Sequence, residues 1–200
     1  MCLYIDRDIH AKINPPFRAK ENIGIYKLLA PSSDFMSAAM WETPFRGMPV
    51  HFFDRKAVIT VPPIVYHKYY VDFELNKYDP RIKVADEPSA FELVTDYTNV
   101  TDPKIVVTQG VHSLTTVKGM HEYIFNSGLF NCYAFEGIIP IGTKFYVGEN
   151  NDIVSEYVEL YEDNILPREE IEHPLKHTRK ENNSISIEEY LEKYKHQLYE

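Results

Sequence analysis

Short apolar runs recur along the chain, separated by proline, glycine and polar residues. They are rich in β-branched and aromatic residues, which favour strands. Three of the clearest runs, at residues 131–140, 142–148 and 153–160, follow one another across short polar turns. This pattern predicts an antiparallel meander. Further strands are predicted at residues 23–29, 50–53, 57–61, 65–74, 105–108 and 110–114.

Helical spacing of apolar residues is clearest near the end of the sequence. Ser186 is suited to be an N-cap residue, and Glu189 three positions later completes a capping box. The apolar stripe of this helix consists of Ile187, Tyr190, Leu191, Tyr194 and Leu198. We expect the stripe to dock either on its own domain or on a second copy of the chain, which would form a homo-oligomer. Shorter helical segments are predicted at residues 34–42, 88–95 and 121–125.

These elements together predict an α+β fold, with a mostly antiparallel twisted sheet, few short helices and a C-terminal amphipathic helix. Residues 1–162 are expected to form a single core domain with an irregular N-terminal arm. Residues 163–183 are polar and contain Pro167 and Pro174, which predicts a linker. Residues 184–200 are then expected to form the docking helix.

Composition and charge narrow the functional classes. The chain has 200 residues, of which 44% are hydrophobic, enough to bury a core. It has two cysteines, no apolar stretch of the kind found in a secretory h-region and no apolar run near the ~20 residues that cross a bilayer. We therefore expect a cytoplasmic protein without a membrane partner. A net charge of −9 and a pI near 5.4 argue against nucleic acid as a partner.

The negative charge is concentrated in the last quarter of the sequence. Residues 152–200 contain 13 acidic and 6 basic residues, a net of −7, whereas the first 151 residues carry only −2. Such a tail is typical of a solvated surface, and it is also suited to contact a basic partner. The nearly neutral body is compatible with a small anionic ligand.

Motifs for several common chemistries are absent from the sequence. It has no glycine-rich phosphate loop, no Gly-x-Ser-x-Gly elbow and no cysteine pair at zinc spacing, so we expect no metal and no cofactor. Arg46 lies in a predicted tight turn beside Phe45, where its guanidinium either binds phosphate or carboxylate or stacks on the ring. His112 and Ser113 follow Gly110, and strand alternation predicts that only one of them lines a given cleft. The alternative for His112 is a core position.

Glu136 is the third candidate. It lies inside an apolar predicted strand, where a carboxylate is costly unless it is paired or hydrated. Strand alternation places it on the face of Ala134 and Ile138, opposite Phe135. Both a functional carboxylate and a charge at a sheet edge fit this pattern.

Three blocks of the sequence resemble an uncharacterised family of small proteins encoded by bacteriophages and gut bacteria. The blocks are an early Ile-Tyr-Lys strand at residues 25–27, a Gly-x-His-Ser segment at 110–113 and a late Ile-Ile-Pro-x-Gly-Thr hairpin at 138–143. The resemblance is scattered over residues 22–162. It implies an accessory or counter-defence role for a phage-type protein in the host cell cytoplasm, and it supplies no catalytic residues.

The late hairpin is also similar to the terminal strands of ADP-ribosyltransferase toxins, in which a catalytic glutamate stands four residues before a proline. Glu136 has this position relative to Pro140. The resemblance implies a catalytic role for Glu136, and it places Tyr26 and Lys27 where that family has an arginine that binds the dinucleotide. The sequence departs from the family at Ala134, where a glutamate or glutamine is expected.

We therefore expect a non-catalytic protein that binds a small, anionic, nucleotide-like ligand. The residues expected to line its site are Tyr26, Lys27, Arg46, His112 and Ser113. One alternative is an ADP-ribosyltransferase-like enzyme that uses Glu136 to stabilise an oxocarbenium-like ribosyl centre. The other is a protein-interaction module that uses the acidic tail and the C-terminal helix to occupy a host protein.

Overall fold

The computed structural model of the chain describes residues 3–4, 17–32, 40–44, 47, 49–60, 68–72, 77–78, 104–107, 110–148, 152–172 and 183–194. This part of the chain contains three helices, α1 (Val117–Ser127), α2 (Arg168–Glu172) and α3 (Ile187–Tyr194). None of these described helices is long and apolar enough to cross a membrane.

Most of the described strands form one large antiparallel sheet. In spatial order they are β2 (Phe17–Arg18), β12 (Lys144–Val147), β13 (Asp152–Ser155), β10 (Val111–Leu114), β3 (Ile23–Pro31), β11 (Tyr133–Ile139), β14 (Tyr157–Ile165) and β6 (Lys56–Thr60). Two short strands, β4 (Trp41–Glu42) and β5 (Pro49–Val50), continue from the end of β3. A separate sheet contains β1 (Leu3–Tyr4), β9 (Lys104–Val107), β7 (Lys68–Asp72) and β8 (Lys77–Tyr78). The predicted α+β fold with a mostly antiparallel sheet is confirmed.

The centre of the large sheet is the pairing of β3 with β11, which runs through seven residue pairs. On its other side β11 pairs with β14 through a bulge, where residues 135–137 face residues 160–165. The predicted meander is therefore wrong in its pairing, because β12 pairs with β13 and not with β11. Glycine is required at position 137 of this bulge, because a Cβ there would lie 2.5 Å from Leu160 Cδ2 and still closer to the Glu159 carbonyl oxygen. Any side chain at position 137 would push the two strands apart.

Both faces of the large sheet are covered. On one face, which we call the α3 side, the buried side chains include Ile25, Leu29, Phe135, Phe145, Leu160 and Tyr190. On the other face, the α1 side, they include Tyr26, Leu28, Leu114, Met120, Ala134, Leu166 and Ile171. Successive residues of β3 and β11 alternate between the two clusters, as expected of strands. Burial on both faces explains why the central strands are nearly continuous apolar runs.

Helix α3 packs on the sheet of its own chain. The Glu189 amide donates to Ser186 Oγ at 3.1 Å and the Ser186 amide donates to Glu189 Oε2 at 2.9 Å, so the capping box is confirmed. Tyr190 is fully buried, and its hydroxyl donates to the Arg18 carbonyl and accepts from the Lys20 amide, each at 3.1 Å. Docking on a second copy stays a prediction.

Several element boundaries differ from the prediction. Helix α1 begins at Val117 rather than at residue 121, because the Thr116 side chain accepts from the Gly119 amide and caps the helix there. The end of β14 and helix α2 lie within the segment predicted as a linker, residues 163–183. This segment buries Leu166 and Ile171 on the α1 side of the sheet, which fixes its first half.

Strands replace part of one predicted helix and part of the N-terminal arm. Residues 41–42, the end of the helix predicted at 34–42, form the strand β4. Residues 33–39 and the helix predicted at 88–95 lie outside the described residues. The arm predicted to be irregular contains the short strands β1 and β2.

Candidate functional site

A groove of about 600 Å³ lies between α1, α2 and the beginning of β11. Its apolar wall is formed by Ile124, Phe125, Phe130, Tyr133, Ile165, Leu166, Pro167 and Ile171. Its polar groups belong to His121, Asn131, Cys132, Arg168 and Glu172. Small-molecule sites occupy about 300–1,000 Å³ and combine a mostly apolar wall with a few polar groups, so this groove has the size and composition of such a site.

The turn after α1 builds one wall of the groove. Gly128 follows the helix with a φ of 66°, a left-handed conformation that glycine adopts without strain. The Leu129 amide donates to the Ile124 carbonyl at 3.1 Å, and the Cys132 amide donates to the Leu129 carbonyl at 3.1 Å. These bonds turn the chain back on itself, so that Phe130 lies beside the end of the helix.

Helix α2 and the end of β14 build the opposite wall. The Leu166 amide donates to the Ala134 carbonyl at 2.9 Å, which fixes this segment against β11. Leu166 and Ile171 are buried, and they belong both to the groove lining and to the apolar cluster on the α1 side. The floor of the groove is therefore continuous with the core, and the groove is a built-in feature of the fold.

Exposed aromatic rings surround the opening of the groove. Phe125 is 68% exposed and Phe130 is 58% exposed, and their rings meet edge to face with centroids 6.2 Å apart. Tyr133 also lines the groove, but its ring packs edge-on against that of Trp41 with centroids 5.2 Å apart, on the α3 side of the sheet. Burial of exposed apolar surface is favourable, and such surface clustered at a concavity marks a binding site.

The charged groups of the groove form an ion pair. Arg168 Nε donates to Glu172 Oε1 at 2.9 Å, and both side chains are largely exposed, so water screens the pair. Burial raises the pKa of the Cys132 thiol, which therefore stays protonated at neutral pH. Asn131 and His121 add an amide and an imidazole to the same lining. The groove thus presents several hydrogen-bond donors beside its aromatic rings.

Tyr26 and Glu136, two of the predicted site residues, lie inside the large sheet and outside the groove. Tyr26 on β3 is the direct cross-strand partner of Glu136 on β11 and of Leu114 on β10. Tyr26 is 5% exposed and Glu136 is 1% exposed. Strand alternation places Glu136 on the α1 side with Ala134. Because β11 is an interior strand, the interpretation of Glu136 as a sheet-edge charge is wrong.

Lys27 and His112 meet where β3 and β10 adjoin. Lys27 Nζ donates to the His112 carbonyl at 2.5 Å, and the ring nitrogens of His112 are buried. Ser113 is 2% exposed, and its Oγ has no hydrogen-bond partner among the described residues. Val111 belongs to the α3-side cluster and Leu114 to the α1-side cluster. His112 and Ser113 between them therefore face opposite sides of the sheet, as the alternation predicts.

Arg46 lies outside the described residues. Of the other predicted site residues, the structure pairs Tyr26 with Glu136 and joins Lys27 to the backbone of His112. None of those that are described lines the groove. The sequence prediction therefore identifies interior residues of the sheet and misses the groove.

One signal for the groove is present in α1. The inward stripe of this helix contains Val117, Met120 and Ile124, at helical spacing. Phe125 is a large apolar side chain outside that stripe, and it is exposed. Its contact with the exposed ring of Phe130 makes an apolar patch beside the groove, and such a patch indicates a binding surface. The remaining lining residues come from segments that only the β11–β14 pairing brings together.

The comparisons with known proteins found no relative of this chain. No family model matches the chain, and neither a curated protein nor a solved structure matches it. The geometry of the groove is therefore the basis for assigning a function.

Proposed function

We propose that the protein is a non-catalytic binding protein for a small anionic ligand with a flat ring system, such as a nucleotide, and that the groove is its site. The observation that carries this proposal is a groove of about 600 Å³ that combines two exposed aromatic rings, Phe125 and Phe130, with the Arg168 guanidinium. Bases stack on aromatic side chains, which contributes about 1–3 kcal/mol per base. A guanidinium matches the charge and geometry of phosphate oxygens.

The biological setting follows from the resemblance to the phage and gut-bacterial family. We place the binding function in a phage accessory or counter-defence role in the cytoplasm of the host cell. A protein that binds a nucleotide-like ligand without consuming it acts by sequestering that ligand.

An ADP-ribosyltransferase-like activity through Glu136 has less support. A carboxylate that acts on a substrate must come within hydrogen-bonding distance of it. Both carboxylate oxygens of Glu136 are buried in the interior of the sheet, and Tyr26, at the position of the dinucleotide-binding arginine, is buried beside it.

A protein-interaction module that uses the acidic tail and α3 to occupy a host protein also has less support. The apolar residues Ile187 and Tyr190 of α3 are already buried against the sheet of the same chain. A host protein would have to displace α3 before it could contact this stripe.

Isothermal titration calorimetry with nucleoside monophosphates, dinucleotides and cyclic nucleotides tests the proposal. We expect micromolar binding by the native protein and about ten-fold weaker binding by Phe130→Ala, because the variant loses a stacking ring. Phe53→Ala is the matched control, since Phe53 is 75% exposed and lies outside the groove. Absence of binding by the native protein, or an equal loss in both variants, contradicts the proposal.

A further inference from the structure

Glu172 lines the same groove as Arg168 and holds its guanidinium in an ion pair. The two residues lie one turn apart on α2, with Arg168 Nε donating to Glu172 Oε1 at 2.9 Å. Within the described residues, Arg168 is the one lysine or arginine in the groove lining. An anion that enters the groove therefore meets a guanidinium whose charge is already compensated.

The geometry of the ion pair leaves part of the guanidinium for a ligand. A guanidinium has five N–H donors, and the bond to Glu172 uses the one on Nε. The two Nη groups of Arg168 remain for another acceptor, so a phosphate and the Glu172 carboxylate can contact the same guanidinium. The two anions then repel each other at short range, and an uncharged ligand avoids this repulsion.

From this arrangement we propose that Glu172 determines the charge selectivity of the groove by weakening the binding of anionic ligands relative to neutral ligands with the same ring. This role rests on the proposed function of the groove. Since both side chains are largely exposed, the interaction is screened. Removal of the carboxylate charge changes affinity for the anion by about two- to five-fold.

Titration of the full chain with a nucleoside monophosphate and with the matching uncharged nucleoside tests the role of Glu172. Glu172→Gln removes the charge, while its amide oxygen still accepts from Arg168 Nε. We expect this variant to raise the ratio of nucleotide affinity to nucleoside affinity about two- to five-fold relative to the native protein. Glu169→Gln, which removes a charge of α2 outside the groove lining, is the matched control.

The possible outcomes separate this role from the proposed function. An unchanged or lower ratio of nucleotide affinity to nucleoside affinity in Glu172→Gln overturns the role of Glu172 and leaves the proposed function standing. An equal gain in Glu169→Gln also overturns it, because the general acidity of α2 would then explain the effect. If the native protein binds neither compound, the proposed function fails, and the role of Glu172 fails with it.

Discussion

At position 137 the strands β11 and β14 approach so closely that only a hydrogen atom fits on the Cα. A methyl group there would overlap the Glu159 carbonyl oxygen and Leu160 Cδ2. We expect Gly137→Ala to lower the free energy of unfolding by about 3 kcal/mol, because neither the backbone nor a fully buried leucine can yield. Urea denaturation measures the change.

Gly128 provides the control for this substitution. It has a φ of 66°, and a Cβ there would meet nothing within 4 Å. Asparagine tolerates this left-handed conformation, so Gly128→Asn is expected to change stability by no more than about 0.5 kcal/mol. Similar losses in Gly128→Asn and Gly137→Ala would show that the close approach of β11 and β14 is not the cause.

Asp54 and Arg55 form the two-residue turn before β6, and both have positive φ, 47° and 65°. Phe53 and Lys56 on either side exchange two backbone hydrogen bonds of 2.9 Å. This type of hairpin turn favours glycine at its second position, since a non-glycine residue in the left-handed region is strained by about 1–2 kcal/mol.

We expect Arg55→Gly to raise the free energy of unfolding by about 1 kcal/mol. The substitution also removes an exposed ion pair with Asp163, which contributes a few tenths of a kcal/mol. Arg55→Ala removes the same ion pair without relieving the strain, and we expect it to be slightly destabilising. Thermal unfolding of the two variants distinguishes them, and a destabilised Arg55→Gly would refute this account of the turn.

Helix α3 carries a buried polar group, the Tyr190 hydroxyl, which joins the helix to the backbone of Arg18 and Lys20. Burial is the main reason that the pKa of Tyr190 lies above its ordinary value of 10.0, and the hydrogen bond from the Lys20 amide acts in the opposite direction. The unfolded chain therefore loses the phenol proton at lower pH than the folded chain. The free energy of unfolding falls as pH rises above about 10.

Tyr190→Phe tests this dependence. The variant lacks the hydrogen bonds to Arg18 and Lys20, so we expect it to be less stable at neutral pH. Its stability should nevertheless decline less steeply between about pH 9.5 and 11, because the titrating group is gone. Denaturation curves across this pH range give the slope. An equal slope in both proteins would mean that Tyr190 does not contribute to the alkaline loss of stability.

Elements with strong local signals were predictable from the sequence. The strands β11, β12, β13 and β14 follow from runs of apolar residues between polar turns, and α3 follows from its capping box. The pairing of these strands does not follow from the same pattern: β12 pairs with β13, whereas β11 pairs with β3 and β14. Elements defined by side-chain caps or distant contacts were less predictable. Helix α1 starts at a threonine cap that its apolar pattern does not indicate, and α2 is held by Leu166 and Ile171 in a segment with a linker-like composition.

At the scale of the whole molecule, pairing of distant strands determines which residues are accessible. Tyr26 and Glu136 are polar residues in apolar strands, which made them candidates, but β10, β3, β11 and β14 lie side by side and apolar layers cover both faces. The polar residues that stood out in these apolar strands are therefore buried, and they are not accessible to a ligand. The groove depends on α1 and α2 meeting over β11, and no single segment of the sequence contains enough of its lining to reveal it.

The central claim, that the groove binds the ligand, is tested most directly at Cys132. Its thiol lines the groove, and Cys2→Ser leaves it as the only thiol of the chain. Burial raises the pKa of this thiol above its ordinary value of 9.0, so alkylation is followed near or above that pH, where the thiolate is present.

The measurement is the rate of Cys132 alkylation with and without a saturating nucleotide. The account predicts that the nucleotide slows alkylation several-fold, and that Phe130→Ala needs about ten-fold more nucleotide for the same protection. If a nucleotide that binds by calorimetry leaves the alkylation rate of Cys132 unchanged, the ligand lies elsewhere on the molecule and the account is contradicted.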